Sequence, residues 1–228
     1  MKNFKLPELV IFDMDGTMLD TEPLALEGWH ISAQNQGIDI TFEAFAKIFE
    51  KVVGRNQTHC RQIMLDNLGA DFDFEAGYNF YLSHIDAHFE KHGAPLKSGL
   101  LPLLDKLEEM NIKKCVATST AKERATHKLA KSDLIHRFEI IVGGDEVAHS
   151  KPDPEIFLKA AKACNTLPKN CLVIEDSIAG TEGGFYAGMR VILIPDTQQP
   201  SVQTRRMAWA VCSSLDEVTS LFRSLQTL

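Results

Sequence analysis

Six short runs of apolar residues are the feature that most limits how this chain of 228 residues can fold. They lie at residues 9–12, 114–117, 139–142, 171–174, 190–194 and 209–212, and three of them begin with one charged residue, Lys114, Glu139 or Arg190. Side chains alternate between the two faces of a strand, so a run that is apolar throughout is buried on both faces of its sheet. Helical patterns at residues 100–110, 122–131, 154–163, 178–187 and from 215 onward separate most of these strands. Strands that alternate with helices in this way form a parallel sheet.

A long helical stretch interrupts this alternation between the first strand and the second. Apolar residues recur there at helical spacing over residues 23–31, 42–53, 58–68 and 75–91, with no convincing strand among them. A helical segment in this position is an insertion into the sheet domain. We predict an α/β fold with a doubly wound parallel sheet. Residues 1–18 and 95–228 would form this Rossmann-like core, and residues 19–94 an inserted all-helical cap domain.

The composition argues against several classes of partner. The chain carries 24 Lys and Arg against 31 Asp and Glu, a net charge of −7, whereas nucleic acids and anionic membranes bind basic surfaces. Its five cysteines lack the spacing of a zinc site, which is typical of reduced thiols in the cytoplasm. The apolar stretch near the N-terminus is too short for a signal peptide or a membrane span. We expect a soluble, cytoplasmic protein with no nucleic-acid or membrane partner. Its oligomeric state stays open, and a monomer is compatible with the sequence.

Polar side chains follow four of the predicted strands, three of them at the strand's end and one, Lys151, in the loop after the strand. The first strand ends in two aspartates one residue apart, which lie on the same side of an extended chain, before a turn at Gly16. Ligands of an open parallel sheet bind at the carboxyl ends of its strands, so we predict that these residues meet at one site. They are Asp13, Asp15, Thr118, Ser119, Lys151, Glu175 and Asp176.

Four carboxylates that close together require a counter-charge, because neighbouring like charges raise one another's pKa values. A divalent cation supplies it. A set of oxygen ligands without nearby histidine or cysteine favours Mg²⁺, which usually binds a substrate phosphate as well. We predict a metal site of Asp13, Asp15 through its backbone carbonyl, Glu175 and Asp176. Two roles stay open for Glu175, which either ligates the metal, directly or through a water, or only holds Lys151.

Phosphate chemistry then assigns a role to each group. Asp13 is the predicted nucleophile, which attacks phosphorus and forms an aspartyl-phosphate. Asp15 is the predicted acid for the leaving alcohol and later the base for the attacking water. Lys151, the Thr118 hydroxyl and the backbone N–H groups of the turn that begins at Ser119 would bind the phosphoryl oxygens.

In this order the residues resemble a known family. Asp-Met-Asp-Gly-Thr at 13–17, Thr118, Lys151 before Pro-Asp-Pro, and Glu175-Asp176 are similar to the four motifs of the haloacid dehalogenase-like (HAD) hydrolase superfamily. The helical insertion resembles the subgroup that contains β-phosphoglucomutase and small sugar-phosphate phosphatases. The resemblance implies an aspartyl-phosphate mechanism with Mg²⁺, in agreement with the roles above.

Comparison with this subgroup reduces the number of reactions that fit the sequence and points to candidate substrate-binding residues in the cap. The turn that faces the catalytic edge in the subgroup corresponds to Gly54, Arg55 and Gln57, which are therefore candidate substrate-binding residues. Dehalogenases of the superfamily lack the second aspartate, which is present here as Asp15. β-Phosphoglucomutases carry a histidine at the position of Ala25, and its absence makes a mutase less favoured than a phosphatase.

We therefore predict a Mg²⁺-dependent phosphatase that acts on a small phosphomonoester, either a sugar phosphate or a nucleotide-like compound. The alternative is a β-phosphoglucomutase-like intramolecular phosphotransferase, and a non-catalytic module that binds phosphorylated metabolites ranks last. Some segments also have simpler structural interpretations. Residues 118–120 can cap a helix that begins near Ala121, and Asp153 suits the start of another helix. For Glu22, the first turn of a cap helix is a better interpretation than a role in the site.

Overall fold

A six-stranded sheet forms the centre of the computed structural model, which describes residues 6–53, 55, 57–196 and 199–226. The strands are β1 (Leu9–Phe12), β2 (Lys113–Ala117), β3 (Ile140–Val142), β4 (Cys171–Glu175), β5 (Arg190–Leu193) and β6 (Ala210–Val211). Their order is β3-β2-β1-β4-β5-β6, and every neighbouring pair is parallel. This topology confirms the predicted fold class.

The central strand β1 is apolar at every position because both of its faces are buried. Val10 and Phe12 point into the apolar core on one face of the sheet, and Leu9 and Ile11 into the core on the other. All four side chains are fully buried. Helices therefore cover both faces of the sheet at this strand.

Ten α-helices accompany the strands in the described part of the chain. Four of them, which we call the helical insertion, lie between β1 and the rest of the sheet: α1 (Glu22–Asn35), α2 (Phe42–Phe49), α3 (Gln57–Leu68) and α4 (Phe74–His92). The others are α5 (Leu100–Glu109), α6 (Lys122–Lys131), α7 (Glu155–Ala163), α8 (Ile178–Tyr186), α9 (Val202–Met207) and α10 (Leu215–Gln226).

The helical insertion leaves and re-enters the sheet domain at neighbouring points. Leu19 and Leu96, on the two connecting segments, form an antiparallel bridge. Within the insertion, Trp29 of α1 stacks on Tyr81 of α4 with ring centroids 5.3 Å apart. Among the described residues, no helix has both the length and the apolar character needed to cross a bilayer.

The sequence pattern does not predict α9. This helix buries one residue, Thr204, and has no apolar stripe. Its N-cap is Ser201, whose Oγ accepts a hydrogen bond from the backbone N–H of Thr204 at 3.1 Å. A short helix that depends on its cap instead of an apolar face leaves no periodic signal in the sequence.

Candidate active site

A cavity of about 350 Å³ lies at the carboxyl edge of the central strands, between the sheet and the helical insertion. Six of the predicted residues line it from the sheet side: Asp13, Asp15, Thr118, Ser119, Lys151 and Asp176. Arg55 and Gln57 line it from the insertion, whereas Gly54 lies outside the described residues. The sheet edge thus brings together side chains that are far apart in the sequence.

Three acids and a lysine form a buried cluster at this edge of the sheet, and all of them except Glu175 line the cavity. Carboxylate oxygens of Asp13, Glu175 and Asp176 lie within 4.8 Å of one another, and all three residues are buried. The Lys151 ammonium donates to Asp13 Oδ1 at 2.5 Å and to Glu175 Oε1 at 2.6 Å. It also reaches the backbone carbonyl of Ala117 at 3.3 Å. Lys151 therefore connects the ends of β1, β2 and β4.

The cluster carries more acid groups than its lysine can neutralise. Burial raises the pKa of Asp13 from 3.8 to about 8, against the opposing charge of Lys151, and the Glu175 carboxylate adds to the rise. Burial, together with the charges of Glu175 and Asp13, raises the pKa of Asp176 well above its usual range. Burial lowers the pKa of Lys151, but the two adjacent carboxylates outweigh this effect and the pKa rises. Three close carboxylates with one ammonium fit an oxygen-ligated divalent cation.

The carboxylate of Asp176 packs closely against the turn after β1. Gly16 has φ of +85°, and a Cβ atom on it would lie only 2.5 Å from Asp176 Oδ2. The next residue, Thr17, donates its hydroxyl hydrogen to Asp176 Oδ1 at 2.7 Å. Glycine is required here both by the positive φ and by the close approach of the carboxylate.

Glu175 uses both of its carboxylate oxygens within the protein. Oε1 accepts from Lys151, while Oε2 accepts from the backbone N–H groups of Asp176 and Ser177, at 3.0 and 2.9 Å, and from the Ser177 hydroxyl at 2.9 Å. Of the two roles that the sequence leaves open for this residue, the geometry favours holding Lys151.

The carboxylate of Asp15 lies apart from the three clustered acids. Oδ1 accepts from the Thr21 hydroxyl at 2.7 Å and from the Lys128 ammonium at 2.6 Å, and Oδ2 accepts from the Thr120 hydroxyl at 2.7 Å. Burial alone would raise the pKa of Asp15, but the charge of Lys128 and these hydrogen bonds outweigh it and the pKa is lowered. The two aspartates of the first motif therefore have opposite electrostatic environments.

The hydroxyl residues after β2 belong to the cavity and do not cap the next helix. Helix α6 has no side-chain cap at Ala121, and the first helical N–H, of Lys122, is bound by Asp145 Oδ1 at 2.7 Å. Thr118 is almost fully buried, and its Oγ1 accepts from the backbone N–H of Thr120 at 3.1 Å. By contrast, Asp153 Oδ1 accepts from the N–H of Glu155 at 2.9 Å, as expected for a helix start.

Sequence reasoning missed several residues of this cavity. Glu22, for which a helix start was the better interpretation, is the first residue of α1 and also lines the cavity. Thr21 and Lys128 hold Asp15 and were not expected at the site, whereas Thr120, which also holds it, follows a strand whose end was expected there. For Lys128 a signal exists, because it falls within the buried stripe of α6 formed with Ala125 and Leu129, where a lysine is out of place.

A family model described as haloacid dehalogenase-like hydrolase matches residues 10–194, a span that contains all four motifs. The chain belongs to this family. It is 32% identical over 187 residues to the phosphorylated carbohydrates phosphatase of Thermotoga maritima, which covers 81% of this chain and 83% of the relative. It is 30% identical to the probable pseudouridine-5'-phosphatase of Drosophila melanogaster, over 90% of this chain and 89% of the relative. Among solved structures, a putative β-phosphoglucomutase from Thermotoga maritima matches with a TM-score of 0.76 and 27% identity, over 95% of this chain and 98% of that one.

Proposed function

We propose that this member of the family is a Mg²⁺-dependent phosphatase that hydrolyses a small phosphomonoester through an aspartyl-phosphate on Asp13. The substrate is a sugar phosphate or a nucleotide-like compound. In this proposal residues 1–18 and 95–228 are the catalytic core and residues 19–94 are the cap. Relatives named as phosphatases of phosphorylated carbohydrates and of pseudouridine-5'-phosphate support this reaction class.

The pairing of Asp13 with Lys151 is the observation that carries the proposal. The Asp13 carboxylate lines the cavity, and the Lys151 ammonium is fixed 2.5 Å from its Oδ1. A carboxylate held in this way can attack phosphorus, while the adjacent ammonium binds an oxygen of the transferred group. The Thr118 residue, at the end of the neighbouring strand, lines the same cavity, and its hydroxyl would bind a second phosphoryl oxygen.

The clustered acids fit the metal that this chemistry requires. Asp13 and Asp176, with the backbone carbonyl of Asp15, would hold Mg²⁺, and Glu175 would hold Lys151. When bound, the cation supplies positive charge that keeps the carboxylates ionised and offsets the repulsion between Asp13 and the phosphate. All candidate ligands are oxygen atoms, which favours Mg²⁺ over zinc or copper.

We assign to Asp15 the proton transfers on both sides of the intermediate. The Lys128 charge lowers the pKa of Asp15, so the carboxyl group has to be protonated before the first of these transfers. Its carboxyl group would donate a proton to the leaving alcohol as Asp13 attacks, and then accept one from the water that hydrolyses the aspartyl-phosphate. Its side chain is 27% exposed, so it is accessible from the cavity in a way that Glu175 is not.

The cavity walls support a small organic leaving group. Trp29, Tyr78 and Tyr81 line it from the helical insertion, and aromatic faces pack well against the rings of sugars and bases. Arg55 and Arg124 line the same space and can bind polar substituents. Ala25 also lines it, and a methyl group cannot move a proton between substrate hydroxyls, which supports hydrolysis over intramolecular phosphate transfer.

Phosphate release from a panel of phosphorylated metabolites, measured with Mg²⁺ and with EDTA, tests the proposal. We expect metal-dependent release by the wild-type protein and none above background by Asp13→Asn. Asp133→Asn is the matched control, because residue 133 has a 98% exposed side chain and a positive φ that asparagine tolerates. Release that survives EDTA or the Asp13→Asn change would contradict the proposal, and an isomerised sugar phosphate without free phosphate would favour the phosphotransferase.

A further inference from the structure

Lys128 is a buried lysine at the cavity that belongs to none of the four motifs. Its side chain is 3% exposed, and it lies on α6 between the buried residues Ala125 and Leu129. An ammonium group removed from water is costly unless it is paired. A lysine in this position therefore needs a specific partner.

That partner is Asp15. The Lys128 ammonium lies 2.6 Å from Asp15 Oδ1, and within the described part of the chain no other acceptor binds it. The two side chains differ in exposure, 3% for Lys128 and 27% for Asp15. The carboxyl group is thus the member of the pair that a substrate can reach more easily.

Two hydroxyl groups also donate hydrogen bonds to the Asp15 carboxyl group. Thr21, just before α1, donates to Oδ1, and Thr120, in the loop between β2 and α6, donates to Oδ2. Both oxygens of Asp15 are therefore bound by side chains from three separate segments. Such a network restricts the side chain to one orientation, and its charged hydrogen bond is the strongest of the three.

We propose that Lys128 is a positioning residue for Asp15, holding its carboxyl group where the leaving alcohol and later the attacking water meet it. This inference rests on the proposed phosphatase function. In the first step the protonated carboxyl group of Asp15 gives its proton to the leaving oxygen as the ester P–O bond breaks and the Asp13–phosphorus bond forms. In the second step the Asp15 carboxylate takes a proton from water as the water oxygen bonds to phosphorus and the Asp13–phosphorus bond breaks.

The two steps can be separated with p-nitrophenyl phosphate, whose leaving group departs as a stable anion and needs no proton. Lys128→Met keeps the aliphatic stem and removes the charge. We expect this variant to release its first equivalent of nitrophenol at a rate within about threefold of the wild-type rate. Its steady-state turnover should be at least about tenfold lower, because the water that hydrolyses the intermediate still needs a positioned base. With an alkyl phosphate substrate the first turnover falls at least about tenfold as well.

Matched variants separate positioning from loss of structure. Lys122→Met removes a lysine from the same helix, where it is 52% exposed and paired with Glu146, and should behave as wild type. Lys128→Arg should restore part of the steady-state rate. Thr120→Val removes one of the hydroxyls that bind Asp15 and leaves no unpaired buried charge. It should show the same selective pattern more weakly, and it replaces Lys128→Met in the test if that variant does not fold.

The outcomes distinguish this inference from the function on which it rests. A wild-type protein that releases neither nitrophenol nor phosphate would overturn the proposed function and this inference with it. An active wild type whose Lys128→Met variant turns over both substrates normally would overturn the positioning role alone. The positioning role would also be overturned if, in a folded Lys128→Met protein, the first turnover slowed as much with p-nitrophenyl phosphate as with the alkyl phosphate.

Discussion

The guanidinium of Arg124 on α6 binds both carboxylate oxygens of Asp86 on α4, with nitrogen–oxygen distances of 3.3 and 3.0 Å. A second ion pair, between Lys131 and Glu90, joins the same two helices. Because α6 follows a sheet strand and α4 belongs to the helical insertion, these pairs connect the two parts of the molecule beside the cavity. Arg124 itself lines the cavity wall.

We expect Asp86→Asn to loosen the contact between α4 and α6. The pair is partly exposed, with 24% of the Arg124 side chain and 38% of the Asp86 side chain accessible, so its contribution is small. Amide hydrogen exchange in these two helices should quicken by up to about fivefold, as expected for a pair that contributes about 0.2–1 kcal/mol, while β1 stays protected. Glu75→Gln, which breaks an ion pair with Arg61 inside the insertion, is the control. Equal exchange in α6 for both variants would show that the Asp86 pair does not connect the two parts.

Gly16→Ala should damage the site more than an equally strained glycine elsewhere. An alanine at this positive φ costs about 1–2 kcal/mol, and its Cβ would also collide with Asp176, which adds about 1–3 kcal/mol. Gly188 has φ of +72° and nothing within 4 Å of its Cβ position, so Gly188→Ala should show the backbone cost alone. Urea unfolding of the two variants measures the difference. Equal losses of stability, with activity retained in Gly16→Ala, would contradict the described approach of Asp176.

The acid cluster predicts that the metal-free protein loses stability as the pH rises. The folded-state pKa of Asp13 is about 8, above the ordinary 3.8, so between these values the folded state binds more protons than the unfolded state. Its contribution is therefore fully present below about pH 4 and is lost as the pH rises through about 8. In EDTA, we compare the melting temperatures of the wild type and of Asp13→Asn between about pH 5 and about pH 9. The melting temperature of the wild type should fall more steeply with pH than that of Asp13→Asn. Parallel curves for the two proteins would contradict the raised pKa.

The meeting of Asp13, Lys151 and Asp176 could be predicted because their positions relative to the strands are visible in the local sequence. Each follows a strand or its loop, and parallel strands deliver their carboxyl ends to one edge. The structure brings these three side chains to that edge, and the predicted fold class is confirmed by the order of the strands. Their catalytic roles stay predictions.

The surroundings of Asp15 could not be predicted in the same way. The alternation of side chains along β1 suggested that its carboxylate joins that of Asp13, but the turn at Gly16 ends the extended chain and the carboxylate binds Thr21, Thr120 and Lys128 instead. Lys128 lies 113 residues further along the chain. The stripe of α6 shows that this lysine is buried, but only the packed helix shows which acid it meets.

Mass spectrometry of the protein during turnover tests the central claim most directly. The wild type is mixed with Mg²⁺ and a substrate from the phosphate-release panel, quenched in acid at short times, and digested. We expect the mass of one phosphoryl group on the peptide that contains Asp13, and no such modification in Asp13→Asn. Continued phosphate release while that peptide stays unmodified at every quench time, or a phosphoryl group on another residue, would contradict the claim.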